Sequence, residues 1–261
     1  MQISCCRIIV ALSVTFLASI SLSAQPPTAN FYLNGVGSGA NLGGVYTSPY
    51  AGQINGASTI PVICDDFQDD SFVPEQWTAY VTSLSTILTE SSTDTYLKWN
   101  SGWDGTGAMA LPPTELTQTQ AYGAAAVLAY NILNSTGLAQ EEYSYAMWEL
   151  FDPTQASSAL PAEDQSTVAS YVQTAVGIAT GGNLNSYLSS HDVSGVTFYS
   201  YDATDNPLGP VGCGGHCPPP PQEFVTVSMA EPSYPAILGL DLLAVAGLIL
   251  FVRRKLASPV N

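Results

Sequence analysis

Two apolar runs bracket this 261-residue chain, and they confine any water-soluble fold to the stretch between them. The first, Ile8–Ile20, follows Arg7 and is interrupted only by Ser and Thr. Small residues come next at Ser21, Ser23 and Ala24. A basic start, a short apolar centre and small residues at a cutting point are the three parts of a secretory signal, so residues 1–24 are read as one. The run is too short to span a bilayer well. Cys5 and Cys6 precede it, so neither reads as the lipidated first residue of a mature chain.

The second run, Ala236–Val252, is almost wholly apolar. As a helix rising ~1.5 Å per residue it is roughly 26 Å long, slightly short of the ~30 Å hydrocarbon core. Asp241 is its one charge. A carboxylate near the centre costs about 2.5–3.5 kcal/mol, and the large apolar residues return roughly 3–7 kcal/mol in total. Insertion is therefore marginal, and Asp241 can lower its cost by protonation or by pairing inside a membrane protein that binds the tail. Arg253, Arg254 and Lys255 follow directly and hold the C-terminus in the cytoplasm.

Between the runs the charge is lopsided. The chain has five Lys+Arg against 21 Asp+Glu, and Lys98 is the one basic residue between Ala24 and Ala230. Such a surface repels phosphate backbones, which excludes nucleic acid as a partner class. Charged residues are only 10% of the chain and hydrophobic ones 46%, a balance that demands a packed core.

The body reads as α+β. Phe31–Leu33, Gly44–Tyr46, Ile60–Ile63 and Trp77–Leu84 are short strand-forming pieces set off by Gly-rich turns. The middle is helical, as a hairpin or triplet. Gln118–Asn134 repeats Ala121, Ala125, Leu128 and Ile132 on one face. Glu141–Phe151 follows and is stopped by Asp152-Pro153. A third helix is expected over Ala162–Ile178, with Glu163 and Asp164 in its first turn and Val168, Tyr171, Val172 and Ala175 on its buried face. Strands Val196–Tyr201 and Glu223–Ser228 close the body. The expected organisation is therefore a signal at 1–24, an α+β extracytoplasmic domain at 25–204, a Cys/Pro-rich loop or linker at 205–222, a closing strand at 223–230 and a tail at 231–258 whose residues 236–252 form a single transmembrane helix.

Candidate chemistry is sparse. Asp65, Asp66, Asp69 and Asp70 crowd carboxylates that Ca²⁺ would relieve, but they lack the glycine and glutamate of an EF-hand loop, and a solvated acidic loop explains them as well. Cys213 and Cys217 flank His216; three ligands fall short of a zinc site, and export favours a small disulfide, with free thiols or pairing to Cys64 as alternatives. Cys64, after Val62-Ile63, is expected to be a buried strand cysteine. Trp99 and Trp103, in a Gly/Asn/Asp-rich segment, are the candidates for exposed rings that stack on sugars. No phosphate loop and no nucleophile elbow is present, and His191 and His216 sit in loop-like contexts, so no catalytic residue is assigned.

The tail resembles the PEP-CTERM sorting signal of bacterial proteins. Glu231-Pro232-Ser233, the apolar run with Gly239 and Gly247, and Arg253-Arg254-Lys255 match its three parts in order. Ala230 stands where that motif has its first Pro. The resemblance implies processing at the inner membrane by an exosortase-like enzyme and placement in the envelope or extracellular matrix, often with exopolysaccharide. The body, through Ile63-Cys-Asp-Asp-Phe67 and Tyr145-Ala-Met-Trp-Glu-Leu-Phe-Asp152, resembles ectodomains that carry such tails and, distantly, thioester domains of surface adhesins. Those pair an early Cys with a Gln four residues before a Trp. Cys64 matches the Cys, but Ser144 stands four before Trp148, so thioester chemistry is not expected. Three functions remain: a structural or adhesive surface protein without enzyme activity or cofactor, an acidic Ca²⁺- or glycan-binding module on the same anchor, and a secreted hydrolase.

Overall fold

The computed structural model describes residues 27–37, 39–67, 71–89, 96–99, 116–202 and 222–229. Its strands are β1 (Thr28–Gly35), β2 (Asn41–Leu42), β3 (Val45–Tyr46), β4 (Tyr50–Ile54), β5 (Ile60–Cys64), β6 (Glu75–Ser83), β7 (Val193–Tyr201) and β8 (Phe224–Met229). Its helices are α1 (Leu84–Thr89), α2 (Gln118–Leu133), α3 (Leu138–Phe151), α4 (Pro153–Ala159), α5 (Gln165–Thr180) and α6 (Leu184–Ser190). The α+β expectation holds, with the strands organised more tightly than the sequence implies. Six of them close into an antiparallel barrel in the order β1-β4-β5-β8-β7-β6. Closure comes from β1, which pairs with β4 on one side (Phe31 opposite Ile54) and β6 on the other (Phe31 opposite Trp77). A closed sheet leaves no edge for another chain to pair with.

Period-two alternation divides the barrel residues between two cores. Phe31, Leu33, Val62, Cys64, Trp77, Tyr199 and Phe224 form the inner cluster. Phe31 stacks on Trp77 and Phe224, with ring centroids 4.7 and 5.1 Å apart, so aromatic rings fill the small lumen. The intervening residues Ile63, Val196, Phe198 and Val225 belong instead to the cluster shared with the helices.

At the centre of the helical layer lies α2. Thr117 and Gln120 cap it reciprocally as a capping box. The one-sided repeat expected for this helix is too narrow: Ala124, Ala126, Val127 and Ala129 are buried along with Ala121, Ala125, Leu128 and Ile132. Its run of Ala and Gly lets α3, α5 and α6 approach from different sides. Pro153 opens α4 at a position where its missing N–H costs nothing. Two expectations for α5 need correction. Glu163 and Asp164 precede the helix rather than sit in its first turn. Tyr171 is half-buried and stacks on Tyr143 of α3, ring centroids 3.9 Å apart. Among the described residues no helix is long and apolar enough to cross a membrane. The tail, with Asp241, the signal and most of the 205–222 segment lie outside the described residues.

The strand expected at Gly44–Tyr46 is one arm of a hairpin. β2 and β3 pair around Gly43 and Gly44, whose φ values of +62° and +88° suit the tight turn. Tyr145 of α3 donates its hydroxyl to the carbonyl of Leu42 (2.9 Å), which seats the hairpin on the helices. A Cβ on Gly43 would lie 2.2 Å from the Ala159 carbonyl oxygen, whereas one on Gly44 would meet nothing within 4 Å. Gly43→Ala should therefore destabilise the fold by about 2–4 kcal/mol, combining left-handed strain with overpacking. Gly44→Ala should show only the strain, about 1 kcal/mol. Urea unfolding of the two variants checks the difference.

Candidate functional site

The two sequence motifs of the body meet at one rim of the barrel. Cys64 ends β5, and its carbonyl accepts a hydrogen bond from Trp148 Nε1 of α3 (3.0 Å). Phe67 packs on the Trp148 ring, centroids 4.9 Å apart. Ser48 links the other side: its Oγ accepts from the Cys64 amide (3.1 Å) while its own amide donates to Ser144 Oγ (3.1 Å). The positions that the thioester resemblance singles out, Cys64 and Ser144, thus converge on one intermediary. The thiol donates to the Asp66 carbonyl (2.9 Å), and Gln222 Nε2 donates to the same oxygen (2.9 Å). Cys64 is wholly buried, as expected for a strand cysteine. Burial, with the charges of Asp66 and Asp65 behind it, pushes the thiol well above its usual range. It is an inert thiol, since the thiolate is the reactive form.

The polar node continues through the acidic residues. Asp65 and Asp66, expected in a solvated loop, are both 0% exposed. The pairing of β5 with β8 explains this, since it sets Cys64 opposite Phe224 and joins the Asp65 amide to the Glu223 carbonyl, carrying both aspartates under the 96–99 segment. Asp66 forms an ion pair with Lys98. Glu223 collects donors from three directions: the Lys98 amide (3.0 Å), the Tyr122 hydroxyl (2.7 Å) and the Ser200 hydroxyl. Tyr122 in turn accepts from the Trp99 amide (3.2 Å). Among the described residues no N–H or hydroxyl donor reaches either oxygen of Asp65, whose carboxyl lies against that of Glu223. Burial first, then the Glu223 carboxylate, pushes the Asp65 carboxyl well above the usual range.

Chemically this is a closed node. Its acids are spent on Lys98, on hydroxyls and on one another. Trp99, expected as an exposed ring, is half-buried, stacked on Phe151 (5.3 Å, 11° between planes) with the Lys98 ammonium 5.0 Å from its ring centre. Asp69, Asp70, Trp103, Cys213, Cys217, Glu231, Pro232, Ser233, Arg253, Arg254 and Lys255 lie outside the described residues. Sequence reasoning missed Glu223 and Tyr122, which it read as a strand start and a helix residue. One signal pointed toward the node: a lone lysine in an acidic body has to pair with something.

No protein-family model matches the chain, so its PEP-CTERM resemblance rests on the residues of the tail. No curated protein matches it. Two solved structures show distant similarity. The N-terminal thioester domain of a surface protein from Clostridium perfringens aligns at a TM-score of 0.37 and 8% identity, over 78% of this chain and 100% of that one. The N-terminal thioester domain of the fibronectin-binding protein SfbI from Streptococcus pyogenes aligns at 0.34 and 9%, over 81% of this chain and 97% of that one.

Removing the cation should be costly. Lys98→Met keeps the stem but takes the cation away from the buried Asp66, and should destabilise the fold by about 3 kcal/mol or more in urea unfolding at neutral pH. Asp65 makes stability depend on pH with a defined sign. Its proton is retained in the fold and lost by the unfolded chain above the ordinary value of 3.8, so stability falls as pH rises from there through the folded-state pKa. Glu149, raised by burial from 4.5 to about 7, adds a decline of the same sign that begins above pH 4.5 and continues through pH 7. Asp65→Asn should remove the Asp65 share of this decline and leave the Glu149 share, and thermal melts from pH 4 to 9 measure it. An unchanged slope in that variant would show Asp65 to be ionised in the fold.

Proposed function

We propose that the chain is an exported protein of the cell envelope or extracellular matrix, structural or adhesive rather than enzymatic, delivered through a PEP-CTERM-like tail. The observation that carries this reading is the order of its signals: a secretory leader at 1–24, Glu231-Pro232-Ser233, an apolar run and a basic cluster. The body is consistent with a passive role. Among the described residues, Cys64 is buried with a raised thiol pKa, and Asp65, Asp66 and Glu223 are buried in the node. A surface protein gains from a barrel without open edges, since edges invite association with other chains.

A second reading, a glycan- or Ca²⁺-binding module on the same anchor, is favoured on its glycan side by one observation. A tyrosine-lined cavity opens between the helices, away from the node.

The tail reading has a direct test. In sequence the helix-breaking Pro232 lies just before the apolar run, which on the sorting reading puts Glu231-Pro232-Ser233 within reach of a processing enzyme at the membrane boundary. Mature protein from the envelope should end near Ala230–Ser233, and Glu231→Ala or Pro232→Ala should leave a longer, membrane-embedded form. C-terminal peptide mass spectrometry measures this. Recovery of Arg253 and its successors at full abundance in the surface form would replace sorting by a plain anchor.

A further inference from the structure

The cavity between α2, α3, α5 and α6 has a volume of about 250 Å³. That lies below the ~300–1,000 Å³ of sites for drug-sized ligands, so it suits a single ring. Its walls combine flat aromatic surface with hydroxyls and one amide. Tyr143 and Tyr171 stack nearly parallel, 3.9 Å apart and 13° between planes, as a rigid pair on one side. Tyr187 stands on another, its ring braced by His191 (4.2 Å between centroids) and Tyr130 (6.1 Å).

The polar groups are set in a specific way. Asn131 Nδ2 donates both its hydrogens within the protein, to the Val127 carbonyl (2.9 Å) and to the Tyr187 hydroxyl oxygen (3.2 Å). This fixes the amide and leaves its Oδ1 as an acceptor. It also leaves the Tyr187 hydroxyl with its own proton to donate. A preset acceptor thus sits beside a preset donor at the cavity wall. Two neighbouring hydroxyls on a pyranose offer the complement, one donating to Asn131 and the other accepting from Tyr187. The apolar C–H face of such a ring suits tyrosine surface, which is large, rigid and tipped with a polar group.

Charge narrows the class. No side chain lining the cavity is charged. Glu142, hydrogen-bonded to Tyr171 and Thr167, adds a carboxyl close behind the wall. With a net charge of −16 on the whole chain, an anionic sugar would be repelled. We infer that this cavity is a binding site for one neutral pyranose residue, with Asn131 and Tyr187 reading a pair of ring hydroxyls and the Tyr143–Tyr171 pair packing on the ring. The site deepens the glycan-binding reading and rests on it, and it is independent of the tail.

The test uses the full chain in a detergent without a sugar headgroup, probed by saturation-transfer NMR and calorimetry. The probes are methyl glycosides of glucose, galactose and mannose, with methyl glucuronide as the acidic counterpart. At least one neutral glycoside should bind, and methyl glucuronide at least tenfold more weakly. Tyr187→Phe, which keeps the ring and loses only the hydroxyl, should weaken binding about tenfold, the loss of one hydrogen bond. Asn131→Ala should weaken it at least as much. Near-UV circular dichroism shows whether each variant keeps its packing, and Tyr187→Phe carries the test if Asn131→Ala does not. Binding that survives Tyr187→Phe unchanged, or equal affinity for the glucuronide, overturns this site while leaving the glycan-binding reading standing. Absence of binding to every probe overturns both.

Discussion

The ion pair of Lys98 with Asp66 is the contact on which the junction of barrel and helices depends. Lys98 is the body's one cation, and it neutralises a carboxylate with no exposure to water. Its backbone is drawn in as well, since the Lys98 amide reaches Glu223 and the Trp99 amide reaches Tyr122. A short segment remote in sequence from both partners therefore ties β5, β8 and α2 together. A buried pair of this kind adds little net stability over an apolar core. It does penalise any arrangement that leaves Asp66 or Glu223 without its donors.

That junction also accounts for the division of labour in the barrel. On one face of the sheet the aromatic rings of Phe31, Trp77 and Phe224 fill the lumen. On the other, Ile63, Phe198 and Val225 meet the helices. Cys64 sits where the two cores come closest, and Trp148 and Ser48 hold its backbone from opposite sides. Burial and the neighbouring Glu223 carboxylate both raise the Asp65 pKa, because a second charge in a dry site is costly.

The groups richest in chemistry are therefore those least available to a ligand. Open polar surface of defined geometry lies instead among the helices, where Asn131 and Tyr187 are held by each other and by α2.

Local pattern was enough to read β1, β5, β6, β7, β8 and the three long helices, because alternation and helical spacing are properties of contiguous residues. The leader and tail were also read from linear order, and they lie outside the described residues. Buried Cys64 followed from its apolar flank. Barrel closure was not legible: it depends on β1 meeting β6 across a long separation, which no local pattern encodes. Asp65 and Asp66 read as a solvated loop because charge normally seeks water, and only the pairing of β5 with β8 revealed what buries them. The cavity was invisible for the same reason. Asn131, Tyr143, Tyr171 and Tyr187 come from four helices, and each alone resembles an ordinary helix residue. The sequence by itself determined where the main strands and the three long helices lie. Tertiary structure alone decided which carboxylates are dry, which lysine they share and which tyrosines face a common space, because those depend on distances between segments far apart in the chain.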